Sequence, residues 1–557
     1  MTRHFALVAF IGFVACSSTP APSPETAETE PAAAEAKTER QAPLFENMGN
    51  LHHKVSTDSE LAQRYFDQGL SLAYAFNHAE AERSFREAAR IDPECAMCWW
   101  GAAIVLGPHV NAAMFDEAVP RAWEALHKAK AASIESSKKE RAYIRALEKR
   151  YVREPVKDRH HLDVAYAKAM REVAKQYPDD LDAQTLFAEA LMDTMPWNYW
   201  KTPDEAKPEA KEFIAILEKV MKRKPDHFGA LHLYIHAVEA SSNPGRAEVA
   251  ADRLAPLVPA AGHLVHMPAH IYLRVGRYED ASEANVKAAK ADESYISQCR
   301  VQGFYPAMYY PHNIHFLWFS SALEGRSDVS IDAAEKLSTK IQPEMVKQFP
   351  EIEQFLPVPL YAYARFGKWE KILEAPKPPD EFVYNTAMWH YARGLAFAST
   401  GKPEEAGKEA AEVDRLYATE AIDKIQLPTF PGKTVLGVAR VVVAGEAARA
   451  KGDLDTAIAK FEKAVKLEDA IPYMEPPYWY FSVRQYLGAA LLEAKRPKEA
   501  EKVYRRDLQK NPKNGWSYYG LAQSLEAQGK KREAEAARKD FGKAWAKADV
   551  EIAASRF

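Results

Sequence analysis

The stretch "GDLDTAIAKFEKAVKLED", residues 452–469, decides the fold. Gly452 is a turn residue. Ala457, Phe461 and Ala464 follow at spacings of four and three, which puts them on one face of a helix. The pattern recurs. "NHAEAERSFREAARIDP" carries Ala81, Phe85 and Ala88, and "GRYEDASEANVKAAKAD" carries Gly276, Ala281 and Ala288. "GKPEEA" gives Gly401 and Ala406, "RPKEAEKVYRRDLQKNP" gives Ala500 and Tyr504, and "GKKREAEAARKDF" gives Gly529 and Ala534. Asp92-Pro93 and Asn511-Pro512 close two of these units, because proline cannot continue a helix.

Fixed-period self-similarity of this kind resembles the tetratricopeptide repeat, a helix–turn–helix unit of about 34 residues. The resemblance is strong over 66–101, 229–292 and 435–541, and weak over 105–180 and 335–385. It implies an all-α fold, a tetratricopeptide-repeat helical-hairpin superhelix (α-solenoid), whose first helices line a concave groove for a protein or peptide partner. Repeats divide into an N-terminal set over 44–220, a central set over 221–335 and a C-terminal set over 336–545. Residues 546–557 are expected to be the tail of a capping helix.

Composition agrees with a helical globular body. Of 557 residues, 47% are hydrophobic and 27% charged, and the net charge is −4 with no basic block, so no nucleic-acid partner is expected. The N-terminus has a different character. A short basic "MTRH" precedes the apolar run Phe5 to Ala15, too short for a permanent membrane helix and read as a signal peptide over 1–15. Val14-Ala15-Cys16 resembles the end of a bacterial lipobox, which implies a lipidated Cys16. Ser17, in place of Asp, goes in that family with the outer membrane, facing the periplasm. Residues 16–43, rich in Pro, Ala, Glu, Thr and Ser, cannot bury a core and read as a disordered tether.

Cys95-Ala-Met-Cys98 allows a local disulfide or a packed thiol pair. Trp99 follows it rather than His, which excludes a c-type haem site, and no second C-x-x-C completes a metal site.

The histidines carry the functional signal. In "GHLVHMPAHIYLRVG", with Gly276 at position fifteen of its repeat, His263, His266 and His270 take positions two, five and nine, with Pro268 expected near the start of the helix and His263 just before it. One repeat earlier, His232 and His236 lie 34 residues before His266 and His270, at positions five and nine, with Glu239 at twelve. One repeat later, Gly325 places His312 and His315 at positions two and five, with Pro311 expected to begin the helix. In the family these positions face the groove. Seven histidines on three neighbouring first helices can supply H-x-x-x-H pairs closed by a ligand from the next helix. That makes a three-nitrogen site with an open position, and seven could support two ions. All-nitrogen ligation suits Zn, Cu, Ni or Fe.

Three functions follow as expectations. The first is partner or ligand binding in the groove with a histidine-lined metal site. The second is a metal-dependent enzyme, hydrolase or oxidoreductase, with Glu239 as candidate base and Tyr272, Arg274 and Tyr310 lining the pocket. The third is a metal-free interaction scaffold. Thr57-x-x-Glu60 reads as a capping box for the first helix, with His52 and His53 as exposed residues of the loop before it. The aromatic stretches 195–203 and 473–481 read as inter-repeat loops able to floor a pocket. No nucleophile elbow, phosphate loop, dinucleotide fingerprint or H-E-x-x-H occurs.

Overall fold

An aromatic side chain from the second helix of a hairpin is the wedge on which neighbours close. Phe85 meets Gly69 of its own hairpin, where an added Cβ would stand 2.8 Å from the ring, and Gly101 of the next, which is closer still. Tyr504 meets Gly488 and Gly520 in the same way, and Phe461 meets Gly445. Only hydrogen at these glycines lets the helices approach, so the small/aromatic pattern of the sequence is a packing rule. Turns between paired helices use left-handed backbone, as at Gly276 with φ +76°.

The computed structural model describes residues 42–299, 304–427 and 430–557, apart from the side chains at 298, 299, 304 and 306. Cys16, the signal segment and nearly all of the tether lie outside these residues, as does the Cys299 side chain. Residues Gln41–Phe557 form one unit. It is an α-solenoid of tetratricopeptide type. In chain order its first helices are α1 (Glu60–Tyr74), α2 (His78–Ile91), α3 (Ala96–Ile104), α4 (Ala118–Ala132), α5 (Lys138–Leu147), α6 (His160–Gln176), α7 (Leu181–Met192) and α8 (Pro208–Arg223). The central repeats supply α9 (Phe228–Val238), α10 (Glu248–Leu254), α11 (Gly262–His266), α12 (Pro268–Val275), α13 (Tyr278–Cys299), α14 (Phe304–Glu324) and α15 (Ser327–Ser338). Each packs mainly on its sequence neighbours, and the same alternation runs on to a last helix at Lys531–Ala544. Two short antiparallel β-pairs, Trp200–Thr202 with Glu205–Ala206 and Gln426–Leu427 with Phe430–Pro431, interrupt the helices. Among the described residues no helix is long and apolar enough to cross a membrane.

Four local expectations are corrected. Ser59, not Thr57, caps α1: its hydroxyl accepts from the Ala62 amide, while Thr57 is engaged by Asp92 and the Ser59 amide. Pro311 lies inside α14 rather than at its start, because buried Tyr305 and Tyr309 extend the helix upstream at the cost of one backbone bond. His263 is on a short helix of its own, α11, rather than before a helix. The C-terminal segment is not a continuing helix. After Ala544 it turns back: Trp545 packs on Trp516 at 5.0 Å, and the Asp549 carboxylate accepts from the Ser327 and Asp328 amides at 2.6 and 3.0 Å. Asp549 thereby caps α15, which has no side-chain cap of its own.

Two contacts between distant parts of the chain position the site. Helix α9 lies against α1, and the loop at 473–481 reaches the end of α9. The first-helix faces of the central repeats are therefore covered. At these positions the expected open groove is replaced by a buried chamber, because N-terminal and C-terminal segments pack onto it.

Candidate metal centre

Six of the seven histidines meet in that chamber. His232, His236, His263, His266 and His270 are each no more than 3% exposed, and His312 is partly buried. They form two triads: His232 with His236 and His263, and His266 with His270 and His312. Within each triad the candidate ligand atoms lie within 4.8 Å of one another. The repeat explains the grouping. Positions five and nine of one first helix supply a pair, and position two of the next repeat closes it. His315, at position five of the third repeat, has Phe319 rather than histidine at position nine. It stacks on Trp318 at 5.1 Å and belongs to neither triad.

The ring nitrogens are oriented by a surrounding shell. His232 Nδ1 donates to the Tyr74 carbonyl at 2.7 Å, and His266 Nδ1 to Asn285 Oδ1 at 2.7 Å. Asn285 is fixed in turn by its Nδ2 donating to the Ala281 carbonyl. Glu239 takes one histidine from each triad: His236 Nδ1 donates to Oε1 at 2.8 Å and His270 Nδ1 to Oε2 at 2.5 Å. A histidine whose Nδ1 carries the proton has a lone pair on Nε2. Four such lone pairs therefore point inward. His266 Nε2 and His270 Nε2 stand 2.9 Å apart, and His232 Nε2 faces His263 Nε2 at 3.2 Å. Among the described residues, neither His236 Nε2 nor His263 Nδ1 has a hydrogen-bond partner. A proton on one of two facing Nε2 atoms makes the contact an N–H···N hydrogen bond, and a cation between them would satisfy both lone pairs; the shell of Nδ1 acceptors matches what holds metal-ligating histidines.

The protonation energetics favour ligands over charged rings. Burial, reinforced by neighbouring imidazoles, holds His232, His263, His266 and His312 well below the ordinary histidine range. Burial also lowers His236, despite its bond to Glu239. His270 is the exception. Burial opposes its protonation, but the Glu239 carboxylate outweighs burial and raises it, so a proton takes the place of a cation there. Neutral imidazole is the ligating form.

Other parts of the chain close the chamber. Phe76 adopts left-handed backbone with φ +55° and sets its ring 4.4 Å from His232 and 5.4 Å from His263. His109 also packs against it, with ring centroids 4.5 Å apart. A non-glycine residue held in this conformation is strained, and such strain concentrates at functional sites. Trp197, from the first aromatic stretch, packs edge-on to His236 at 5.3 Å. The second stretch supplies Tyr473, whose hydroxyl donates to Glu239 at 3.2 Å, and Glu475, 3.5 Å from His270 Nδ1. Burial pushes the Glu475 carboxyl up to about 8. Arg274 donates to the Glu239 and Ser241 carbonyls and stacks on Tyr473, so it braces the chamber wall. Tyr272 and Tyr310 do not reach the chamber: their hydroxyls bond Asp252 and Glu293. Glu239 orients ligands through Nδ1 and holds no free position as a base.

Sequence reasoning missed Asn285, Tyr473, Glu475, Phe76 and the Tyr74 carbonyl. Only the two aromatic stretches gave any signal. His53 is buried rather than exposed. Its Nδ1 pairs with Asp182 at 2.8 Å, and Asp182 also accepts from the Tyr74 hydroxyl at 2.8 Å and pairs with His227 Nε2 at 3.2 Å. His53, Asp180 and Asp182 also cluster, but Asp182 is satisfied by these donors and Asp180 by Lys139 and the Ala183 amide. Cys95 and Cys98 form a disulfide.

No protein-family model matches the chain, and no curated protein does. Solved structures similar to it are helical-repeat proteins. The APC/C hetero-tetramer Cut9-Hcn1 matches at 15% identity over 88% of this chain and 75% of that one, with a TM-score of 0.29. Human IFIT1, a dimer with m7Gppp-AAAA, matches at 12% over 88% and 91%, also at 0.29. Yeast Tom70 matches at 14% over 86% and 91%, at 0.25.

Proposed function

We propose that this chain is a transition-metal protein in which a tetratricopeptide-type solenoid encloses two adjacent three-histidine sites. The supporting observation is the convergence of Nε2 lone pairs from rings whose Nδ1 atoms are pinned to fixed acceptors. A structural role for buried histidine is served by one donor and one acceptor. It does not call for six imidazoles gathered into two convergent triads, with His236 Nε2 and His263 Nδ1 left without a partner among the described residues. Three imidazoles leave a position open in a tetrahedral site, so each triad can take an exogenous ligand. That open position favours a second reading, a metal-dependent enzyme, over a peptide scaffold. A peptide gripped at these histidines would need them at the surface.

The same reading includes an anchor. Lipidation of Cys16 would place the body on a tether at the outer membrane, facing the periplasm, and intact-mass measurement of the membrane-extracted chain tests this.

Elemental analysis of the full chain, purified without tag or chelator, tests the metal. The expected result is two equivalents of one ion, both lost in His232→Ala/His266→Ala. A parent that stays metal-free after incubation with Zn, Cu, Ni and Fe salts refutes the proposal.

A further inference from the structure

The two triads are not separate sites that happen to be neighbours. Inside the first, ring centroids are 4.9 Å apart for His232–His236 and His232–His263, and 6.2 Å for His236–His263. Inside the second they are 4.8 Å for His266–His270 and His266–His312, and 5.8 Å for His270–His312. Across the boundary, His236–His270 is 5.8 Å and His263–His266 is 5.9 Å. At these two points rings of different triads approach as closely as the widest pair within the first triad. Glu239 spans the boundary with its two oxygens, one histidine of each triad on each.

We infer that the six histidines form one dinuclear copper centre that takes up dioxygen between its two ions. This rests on the metal reading above. The donor set selects the ion. The two triads are made of imidazole nitrogens alone; the carboxylates of Glu239 and Glu475 also gather at His270, but on its Nδ1 side, while its Nε2 faces His266. Non-haem iron sites that meet dioxygen use carboxylate ligands, either one in a facial triad or several in di-iron bundles. Three neutral nitrogens per ion suit copper, which also stands highest in affinity among the divalent first-row ions.

Charge selects the chemistry. A closed, low-dielectric chamber penalises any change in its net charge. Here the chamber is bordered by two carboxyl groups, Glu239 and Glu475, and one guanidinium, Arg274. Two Cu(I) ions bring a charge of two. When dioxygen binds between them, each copper gives one electron, and dioxygen becomes a bridging peroxide of charge minus two. Two Cu(II) ions with that peroxide again sum to plus two. No bond to the protein forms or breaks and no proton moves. The bound and free states therefore differ by no net charge, which is the condition under which a buried site can load and release this ligand. Phe76, Trp197 and Tyr473 close the chamber and keep bulk water from replacing the peroxide.

The test uses the full chain, stripped of metal, loaded anaerobically with Cu(I) and then exposed to oxygen. The expected result is two coppers per chain and uptake of one dioxygen per two coppers. A peroxide-to-copper charge-transfer absorption should appear, with the Cu(II) paramagnetic resonance silent through coupling. His312→Ala, which removes one ligand of the second triad, should keep one copper and lose oxygen uptake to background. A full-intensity resonance from two uncoupled Cu(II) ions overturns the inference and leaves the metal reading standing. So does a chain that binds two zinc ions but no copper. A chain that binds neither copper nor any other ion overturns both.

Discussion

Asn285 offers a test of the chamber from one step outside it. It is wholly buried on α13, and its amide is fixed by the Ala281 carbonyl so that Oδ1 faces His266 Nδ1 at 2.7 Å. Asn285→Ala removes the acceptor that this nitrogen uses, the only one among the described residues. The His266 ring then either buries an unpaired N–H, at a cost of about 1–3 kcal/mol, or moves its proton to Nε2 and ceases to be a ligand. Both routes weaken the second triad and leave the first untouched. Loss of such a partner typically costs about 10- to 100-fold in metal affinity, or about 1.4–2.8 kcal/mol. The assay is competition against a chromogenic chelator in single-site backgrounds. In His232→Ala, where only the second triad is complete, adding Asn285→Ala should weaken binding by that factor. In His266→Ala, where only the first is complete, it should change nothing. An unchanged affinity at the second site, or an equal loss at both, refutes the reasoning that Asn285 acts by fixing one tautomer.

Other outcomes follow from the same geometry. Metal-free protein should lose stability as pH falls from 7.5 to 5.5. His232, His263 and His266 are held well below the ordinary range mainly by burial, so below about 6.5 the unfolded chain binds protons that the folded chain cannot. At pH 5.5 this amounts to between about 1 and 2 kcal/mol each, about 4 kcal/mol for the three, partly offset by His270, which is raised. A urea midpoint that does not move over this range contradicts it. Asp182→Asn leaves His53 and His227 without their carboxylate and should destabilise by about 3 kcal/mol at neutral pH. Because Asp182 titrates well below the usual range, chiefly through those two imidazoles overcoming burial, that difference should shrink as pH falls below about 4. Gly262→Ala drives a methyl into the Asp292 carboxylate, which Tyr305 and Asn313 hold at 3.0 and 2.7 Å. Thermal unfolding should show a loss of about 1–3 kcal/mol, and metal analysis should show weakened binding at the first triad, which His263 completes.

The repeat was legible because its cause is local. Gly452, Ala457 and Phe461 declare a turn and a helix face within ten residues, and the wedge they build is a contact between sequence neighbours. The histidines were legible for the same reason: His232 and His266 occupy one repeat position, and periodicity carries them to one side of the stack. Chain-distant contacts were not legible. Nothing in the residues around Tyr74 announces that its carbonyl meets His232, and nothing around Tyr473 announces Glu239. Those meetings depend on how many repeats intervene and how each departs from the ideal rotation. The exclusion of His315 was half legible, since Phe319 at its ninth position already denies it a pair.

The chamber draws its walls from Tyr74 and Phe76 at one end of the chain and from Tyr473 and Glu475 near the other, with the histidines between. It therefore has no existence in any fragment that stops short of Glu475. A chain emerging from its N-terminus first completes the first two triad pairs, His232–His236 and His266–His270, long before the loop that closes over them. Pairing of the histidines and closure of the fold over them are thus ordered in time: the candidate ligands come first, the lid last. On the proposed metal reading, a chain caught between those stages would expose a row of unprotonated imidazoles to whatever ion its compartment supplies, so what the mature site takes up would depend on where the chain folds as well as on its ligand set.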